Sequence, residues 1–600
     1  MGGRTGGPAK PPPASGEPAV EAVLPAPSDA RSPRVAPLNC RPPPAFDAPT
    51  PAAPMPTPRL PLLAAALTLA GCATSQTAAD ADAPSATFDP STVDYDAVES
   101  LDFDAYVRPL LEARDVLAGA ASGPAAYDLE SVVMAGPSGF VVPFDAEGSL
   151  MLRFVRDLPD SAEIPFPNLR SLEDDEVRYL ARWIEGGARG SDGHVPFMDA
   201  RHLLFAGEQG QNSVAVLDAE TLRLVRRVYF DDHGIPSAPY GPHHFVFEPD
   251  GSAAYVSLVS AGVVAKVALD LSLDPSDPAF LLGRTDGLFA TPGMMSLVPG
   301  SREIYVGRST LSDPLANGFG VLDRETMRME TVATPFNVPH ALAATPDGRF
   351  VLTAELTGTQ ETSRALVYDA ETEDVAIVPL PSEGAPRELI HFSILGAHHM
   401  GGHGGMDHSG MDHGAGHGGM GHGGAGYPYT VTLTSRSTDE VLFFSLTEDG
   451  ELTLEGTAPA GDGPYHAHAN HDGTALLIPD QRGDTVTILD EGTRQPLALV
   501  RAEALSQPHS PAPGPDGSRF FVTSSNLDGA WTPPFLFHNA DGEPQGAGAF
   551  GNVAAFSPAG DLLGVVQLGA YPSGMEPVSL PERPMDHEGM DHGHTGHGDH

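Results

Sequence analysis

Cysteine and lysine are nearly missing from this chain. Its 600 residues include two cysteines, Cys40 and Cys72, so no disulfide framework staples it. Lysine occurs only at Lys10 and Lys266. Arginine carries the positive charge, and 33 basic residues face 79 acidic ones for a formal net charge of −46. So acidic a surface excludes nucleic acid as a partner, because phosphates need a basic one. No Gly-rich phosphate loop, G-x-S-x-G elbow or H-E-x-x-H helix is present. What remains is a 41% hydrophobic fraction, enough for a real core, in a chain long enough for two or three domains.

Cys72 sits in an informative place. In RLPLLAAALTLAGCATS one arginine precedes an apolar stretch from Leu60 to Ala70, too short to span a bilayer but of signal-peptide proportions. Leu69-Ala70-Gly71-Cys72 resembles the lipobox of bacterial lipoproteins. The resemblance implies that Cys72 becomes the lipidated first residue of a cell-envelope protein, on the periplasmic face or at the outer membrane, with the membrane as partner. A signal peptide begins near the start of its protein, so Met55 is the expected initiator. Residues 1–54 then read as a start-site artefact or disordered sequence, 55–71 as signal peptide, and 72–98 as a flexible tether rich in Ala, Thr, Asp, Ser and Pro.

Residues 99–190 read as a small α-helical domain. Phe103, Tyr106, Val107, Leu110 and Leu111 recur on one helical face. Farther on, Ser171 with Asp174 predicts a capping box, Val177, Leu180, Ala181 and Ile184 make a stripe, and Gly186-Gly187 ends it. Val107-Arg108-Pro109-Leu110-Leu111 and Trp183-Ile184-Glu185-Gly186-Gly187-Ala188 resemble the framework of small cytochrome c-like domains. The haem chemistry departs from that pattern. Asp115-Val116-Leu117-Ala118-Gly119 stands where C-x-x-C-H belongs, and Ile164-Pro165 where the axial Met belongs, so no covalent haem is expected.

From about residue 200 the periodicity becomes that of strands, and one unit repeats. It opens on a proline at Pro242, Pro292, Pro339, Pro386, Pro464, Pro508 and Pro572, usually reaches Asp-Gly about eight residues later, and continues through alternating apolar strands. Two intervals are long. One contains the stretch 397–426, and the other a loop around GAWTPPFLFHNADGEPQG. The fold class is therefore mainly β: a seven-bladed β-propeller over 200–584, preceded by the helical domain. The unit beginning HLLFAGEQG lacks its innermost strand, which the segment after Leu568 can supply to close the ring. These repeats resemble YVTN-type propellers, a resemblance that implies fold and leaves function open.

The insert at 397–426 reads HHMGGHGGMDHSGMDHGAGHGGMGHGG from His398, and a shorter version at 585–600 closes the chain. Together they carry His398, His399, His403, His408, His413, His417, His422, His587, His592, His594, His597 and His600, interleaved with methionines including Met406 and Met411. Imidazole binds Cu(II), zinc and nickel, and thioether favours Cu(I), so the mixture points to copper over zinc or nickel. These tracts resemble the Met/His tracts of copper-resistance proteins. They would bind metal as an ensemble.

A second constellation follows from propeller geometry. Aligning the seven openings on their prolines puts His243, Gly293, His340, Arg387, Tyr465, His509 and Ser573 at one position beside the axis, with His244, Met294, Glu388 and His466 one residue on and His468 near. Met295 and Met575 lie close in register. The pattern resembles the axial histidines of nitrous oxide reductase propellers. Gly293, Ser573 and the missing paired-Cys copper domain depart from it, so the resemblance implies at most a simpler metal site.

Three functions are therefore expected in order. The first is an envelope lipoprotein that binds or buffers copper. The second is a propeller metalloenzyme, oxidoreductase or lactonase-like hydrolase, using axial histidines and a metal-bound water. The third is an interaction platform for a redox or envelope protein.

Overall fold

Seven four-stranded antiparallel sheets follow one another along the chain. The structure is a computed structural model, and it describes residues 88–118, 127–159, 161–237, 239–298, 300–382, 384–395, 426–538 and 543–581. The lipobox with Cys72 and both Met/His tracts lie outside these residues. No helix among the described residues is long and apolar enough to cross a membrane.

The sheets are the blades of a seven-bladed β-propeller. Blades 2 to 7 are each built from four consecutive strands, with the innermost strand first. Blade 1 takes its innermost strand, Pro572–Ser579, from the far end of the sequence, where it pairs with His202–Glu208 and closes the ring. Apolar side chains from adjoining blades, such as Phe205 with Phe245 and Leu442 with Leu352, fill the space between sheets. The Asp-Gly turns work because glycine tolerates the left-handed backbone they need, as at Gly251 and Gly517, with φ +72° and +71°.

One irregularity recurs in every blade. Along the innermost strand the ladder loses a step just after the opening residue: Pro242 pairs with Leu258, but Phe245 pairs with Val256. The same shift separates Pro339 from Leu342 and Pro508 from Pro511. A bulge of this kind re-aims side chains, so two successive residues can both face the axis.

That register corrects one expectation. In blade 5 Leu389, not Pro386, pairs with Ser435 and holds the opening position. Ile390 and His391 therefore stand where Arg387 and Glu388 were expected. Arg387 instead turns to an ion pair with Glu440, and Glu388 to one with Arg436 at 3.1 Å.

Ahead of the propeller, short helices pack around Phe103, Phe140, Phe154, Phe166 and Trp183. The helix Asp174–Glu185 does carry a capping box, but with Glu173 and Glu176 in place of Ser171 and Asp174. Ser171 ends the preceding 3-10 turn, and its hydroxyl donates to the Asn168 carbonyl. The extra loop of blade 7 sends Trp531, Phe537 and Phe550 into this same core. Arg227 of blade 1 adds a buried polar tie, reaching Asp145 and Glu208 at 2.9 Å each.

Candidate metal centre on the propeller axis

The bulged innermost strands bring seven histidines and one glutamate to the axis in two tiers. The upper tier, at the end where these strands begin, consists of His243, His340, His466 and His509. All four are buried. The ring of His243 lies 6.3 Å from His340, 5.8 Å from His466 and 5.7 Å from His509, and His466 lies 4.7 Å from His509, centre to centre.

Among the described residues five nitrogens of these four rings have no partner: Nε2 of His243 and His340, both nitrogens of His466, and Nδ1 of His509. A buried polar atom without a partner is costly, so such a cluster calls for an occupant. The His340 tautomer is set by its surroundings. Its Nδ1 lies 2.6 Å from the Arg308 carbonyl oxygen, which can only accept. Nδ1 therefore carries the proton and Nε2 presents its lone pair to the axis, the arrangement of a ligating histidine whose other nitrogen is anchored. Gln209 holds His243 in the opposite sense: its side-chain NH2, 2.8 Å from Nδ1, donates to that nitrogen, so ligation through Nε2 requires the amide to turn and accept instead.

Burial also fixes the charge state. It holds His340 down at about 4 and His509 at about 3, and pushes His243 and His466 well below the usual imidazole range, with neighbouring imidazoles adding to the effect. The rings are neutral at neutral pH, which is the form that ligates metal. Among the described residues no three His, Cys, Asp or Glu groups already stand close enough together to hold an ion. With metal–nitrogen bonds of about 2.0 Å, however, two imidazoles on one tetrahedral ion have centres roughly 5 Å apart. The separations among His243, His466 and His509 are close to that, so closure asks for ring rotation on a fixed scaffold.

The lower tier differs in kind. His244 Nδ1 accepts the Met295 backbone N–H, and His391 Nδ1 accepts that of Ala467, each at 3.3 Å. Both rings must then carry their proton on Nε2, which makes them donors toward the axis. His244 Nε2 lies 3.3 Å from the Glu576 carboxylate, and His468 Nε2 lies 3.6 Å from it. Burial lowers His468, with Glu576 working against it. The two tiers are joined by stacking: His391 lies 5.0 Å from both His466 above and His468 beside it, at 27° in each case.

All six axial histidines expected from sequence thus meet on the axis, but they are not equivalent. His391 and Glu576 were missed. His391 was hidden by the misplaced opening of blade 5. Glu576 was hidden among 79 acidic residues. Its signal was positional, since it is the one carboxylate on any of the seven innermost strands. Met294, Met295 and Met575 pack in the cores between blades.

No family model and no curated protein matches this chain. Solved structures similar to it include the Pseudomonas aeruginosa periplasmic gluconolactonase, with 17% identity over 63% of this chain and 99% of that one and a TM-score of 0.42. Another is hydrazine synthase of Kuenenia stuttgartiensis, with 16% identity, 54% and 89% coverage and a TM-score of 0.39. A third is a dihydro-heme d1 dehydrogenase, with 11% identity, 72% and 92% coverage and a TM-score of 0.38.

Proposed function

We propose that this protein handles a transition metal, copper foremost, and holds one ion on the propeller axis through His243, His340, His466 and His509. The observation that carries the reading is the set of five buried ring nitrogens without a partner among the described residues, in four neutral imidazoles whose neighbouring ring centres lie 4.7 to 6.3 Å apart. Copper binds nitrogen donors more tightly than the other divalent first-row ions, and the Met/His tracts favour it further. In this reading the lipid on Cys72 holds the protein at the cell envelope, the tracts buffer metal loosely, and the axis holds it tightly. The cytochrome c-like framework then serves as a haem-less scaffold, keyed to blade 7 through Trp531, Phe537 and Phe550.

The test is metal content. Protein carrying Cys72→Ser, with the tract histidines and methionines changed to serine, is purified without metal-affinity resin, loaded with copper and dialysed against excess chelator. One ion retained per chain, and lost on His340→Ala with His466→Ala, supports the reading. No retained ion refutes it.

A further inference from the structure

The two ends of the axial channel are chemically opposite. At the upper end Gln209 and Tyr465 are buried over the imidazoles, and the Tyr465 ring lies 4.6 Å from His509. Tyr571 stands 6.5 Å from His509 on the same side. Behind Tyr465 lies the Arg436 guanidinium, 5.6 Å from its ring and paired with Glu388. This end is closed by aromatic rings and backed by a cation.

The lower end is a funnel of about 660 Å³ formed between the Asp-Gly turns of the blades. Among the described residues no lysine or arginine lines it. Its acidic groups are Glu248, Asp472, Glu491 and Glu576. Glu248 is neutralised by Lys266 and Arg324, at 3.0 and 2.7 Å. Asp472 and Glu491 stand at the rim, and Glu576 at the floor. From the floor the stacked rings of His468, His391 and His466 lead up to the buried tier. Leu395, where the described chain breaks off before the Met/His insert, lines this funnel, as does Ser579 just ahead of the C-terminal tract.

We infer that metal cations reach the buried imidazoles through this funnel, drawn in by Asp472, Glu491 and Glu576 and passed along the stacked histidines. The inference rests on the axial site proposed above. A cleft lined by one sign of charge raises the local concentration of the opposite ion and speeds its capture by roughly 10- to 1,000-fold. A low-dielectric wall strengthens the effect, and salt weakens it. At the opposite end buried Gln209 and Tyr465 stand over the imidazoles, and the charges of Arg436 and Glu388 offset each other. His244, fixed as a donor to Glu576, acts as a positioning residue that aims the carboxylate.

The experiment measures loading rates in the full chain carrying Cys72→Ser and the serine-substituted tracts. Aqueous Cu(II), delivered from a weak amino-acid buffer, is mixed rapidly with protein, and quenching of tyrosine fluorescence is followed, since the Tyr465 ring is 5.0 Å from that of His466. The parent is compared with Asp472→Asn/Glu491→Gln/Glu576→Gln. The expected result is loading at least tenfold slower at low salt in the triple variant, a salt dependence largely lost, and an unchanged Kd, because release slows equally. Equal loading rates overturn the inference, as does a weakened Kd with the loading rate unchanged, which would make Glu576 a ligand. Asp472→Asn/Glu491→Gln, confined to turn residues, gives the same test should Glu576→Gln impair folding. If the parent itself retains no Cu(II), it is the axial reading that fails.

Discussion

Replacing His466 by leucine should make the metal-free protein more stable while abolishing its ion. His466 is wholly buried, and neither of its ring nitrogens has a partner among the described residues. Each unsatisfied buried polar atom costs roughly 1–3 kcal/mol. Leucine has a similar volume and no polar atoms, and imperfect repacking returns about 1 kcal/mol of the gain. The net is a stabilisation of about 2–4 kcal/mol, or about 2–4 °C in Tm for a cooperative unit of a few hundred residues. Differential scanning calorimetry of chelator-treated protein reads this directly. The parent should gain about 2.7 kcal/mol in the presence of copper at a hundredfold excess over Kd, and His466→Leu should gain nothing. A lower Tm for metal-free His466→Leu refutes the reasoning, because it means that the imidazole is already satisfied in the native fold.

Acidification should destabilise the metal-free protein between pH 6.5 and about 3. The unfolded chain takes up protons at ordinary imidazole values that the native rings refuse, so stability falls with pH across this window at about 1.4 kcal/mol per unit of depression for each group. His340, held at about 4, and His509, at about 3, both contribute. Asp480, raised by burial to about 6, works the other way, losing stability as pH rises from 3.8 to 6. Two such histidines, joined by His243 and His466, outweigh one aspartate, and urea titrations at pH 7 and pH 5 measure the balance. Arg227→Met should cost about 3–5 kcal/mol by stranding Glu208 and Asp145 in the interior, and adding Glu208→Gln and Asp145→Asn should restore most of it. Denaturant midpoints of the three proteins distinguish lost pairing from lost packing. Replacing the insert at 397–426 by a short Asp-Gly turn should leave Tm within about 1 °C, because it joins two adjacent strands of one hairpin, while total copper capacity falls. Capacity unchanged by that deletion removes the insert from the metal-binding account.

Much of the propeller was legible in the sequence because its signals are local and repeat. Period-two apolar runs, a proline at each strand opening and glycine in the Asp-Gly turns recur seven times, and the missing strand of the first unit pointed to the closure made by Pro572–Ser579. Local patterning also placed six histidines near the axis. It failed where a local signal misled: Pro386 resembled an opening, but the ladder with Tyr429–Ser435 puts Leu389 there and exposes His391 to the axis. Only the tertiary structure separated rings that present a lone pair from rings that present a proton. Whether a buried imidazole presents a lone pair or a proton depends on what its other nitrogen meets, the Arg308 carbonyl for His340 and the Met295 amide for His244, and those partners come from a different blade. The polarity of the channel was decided in the same way, since closing one end with Tyr465 and opening the other onto Glu576 are consequences of how seven separate sheets meet around one axis.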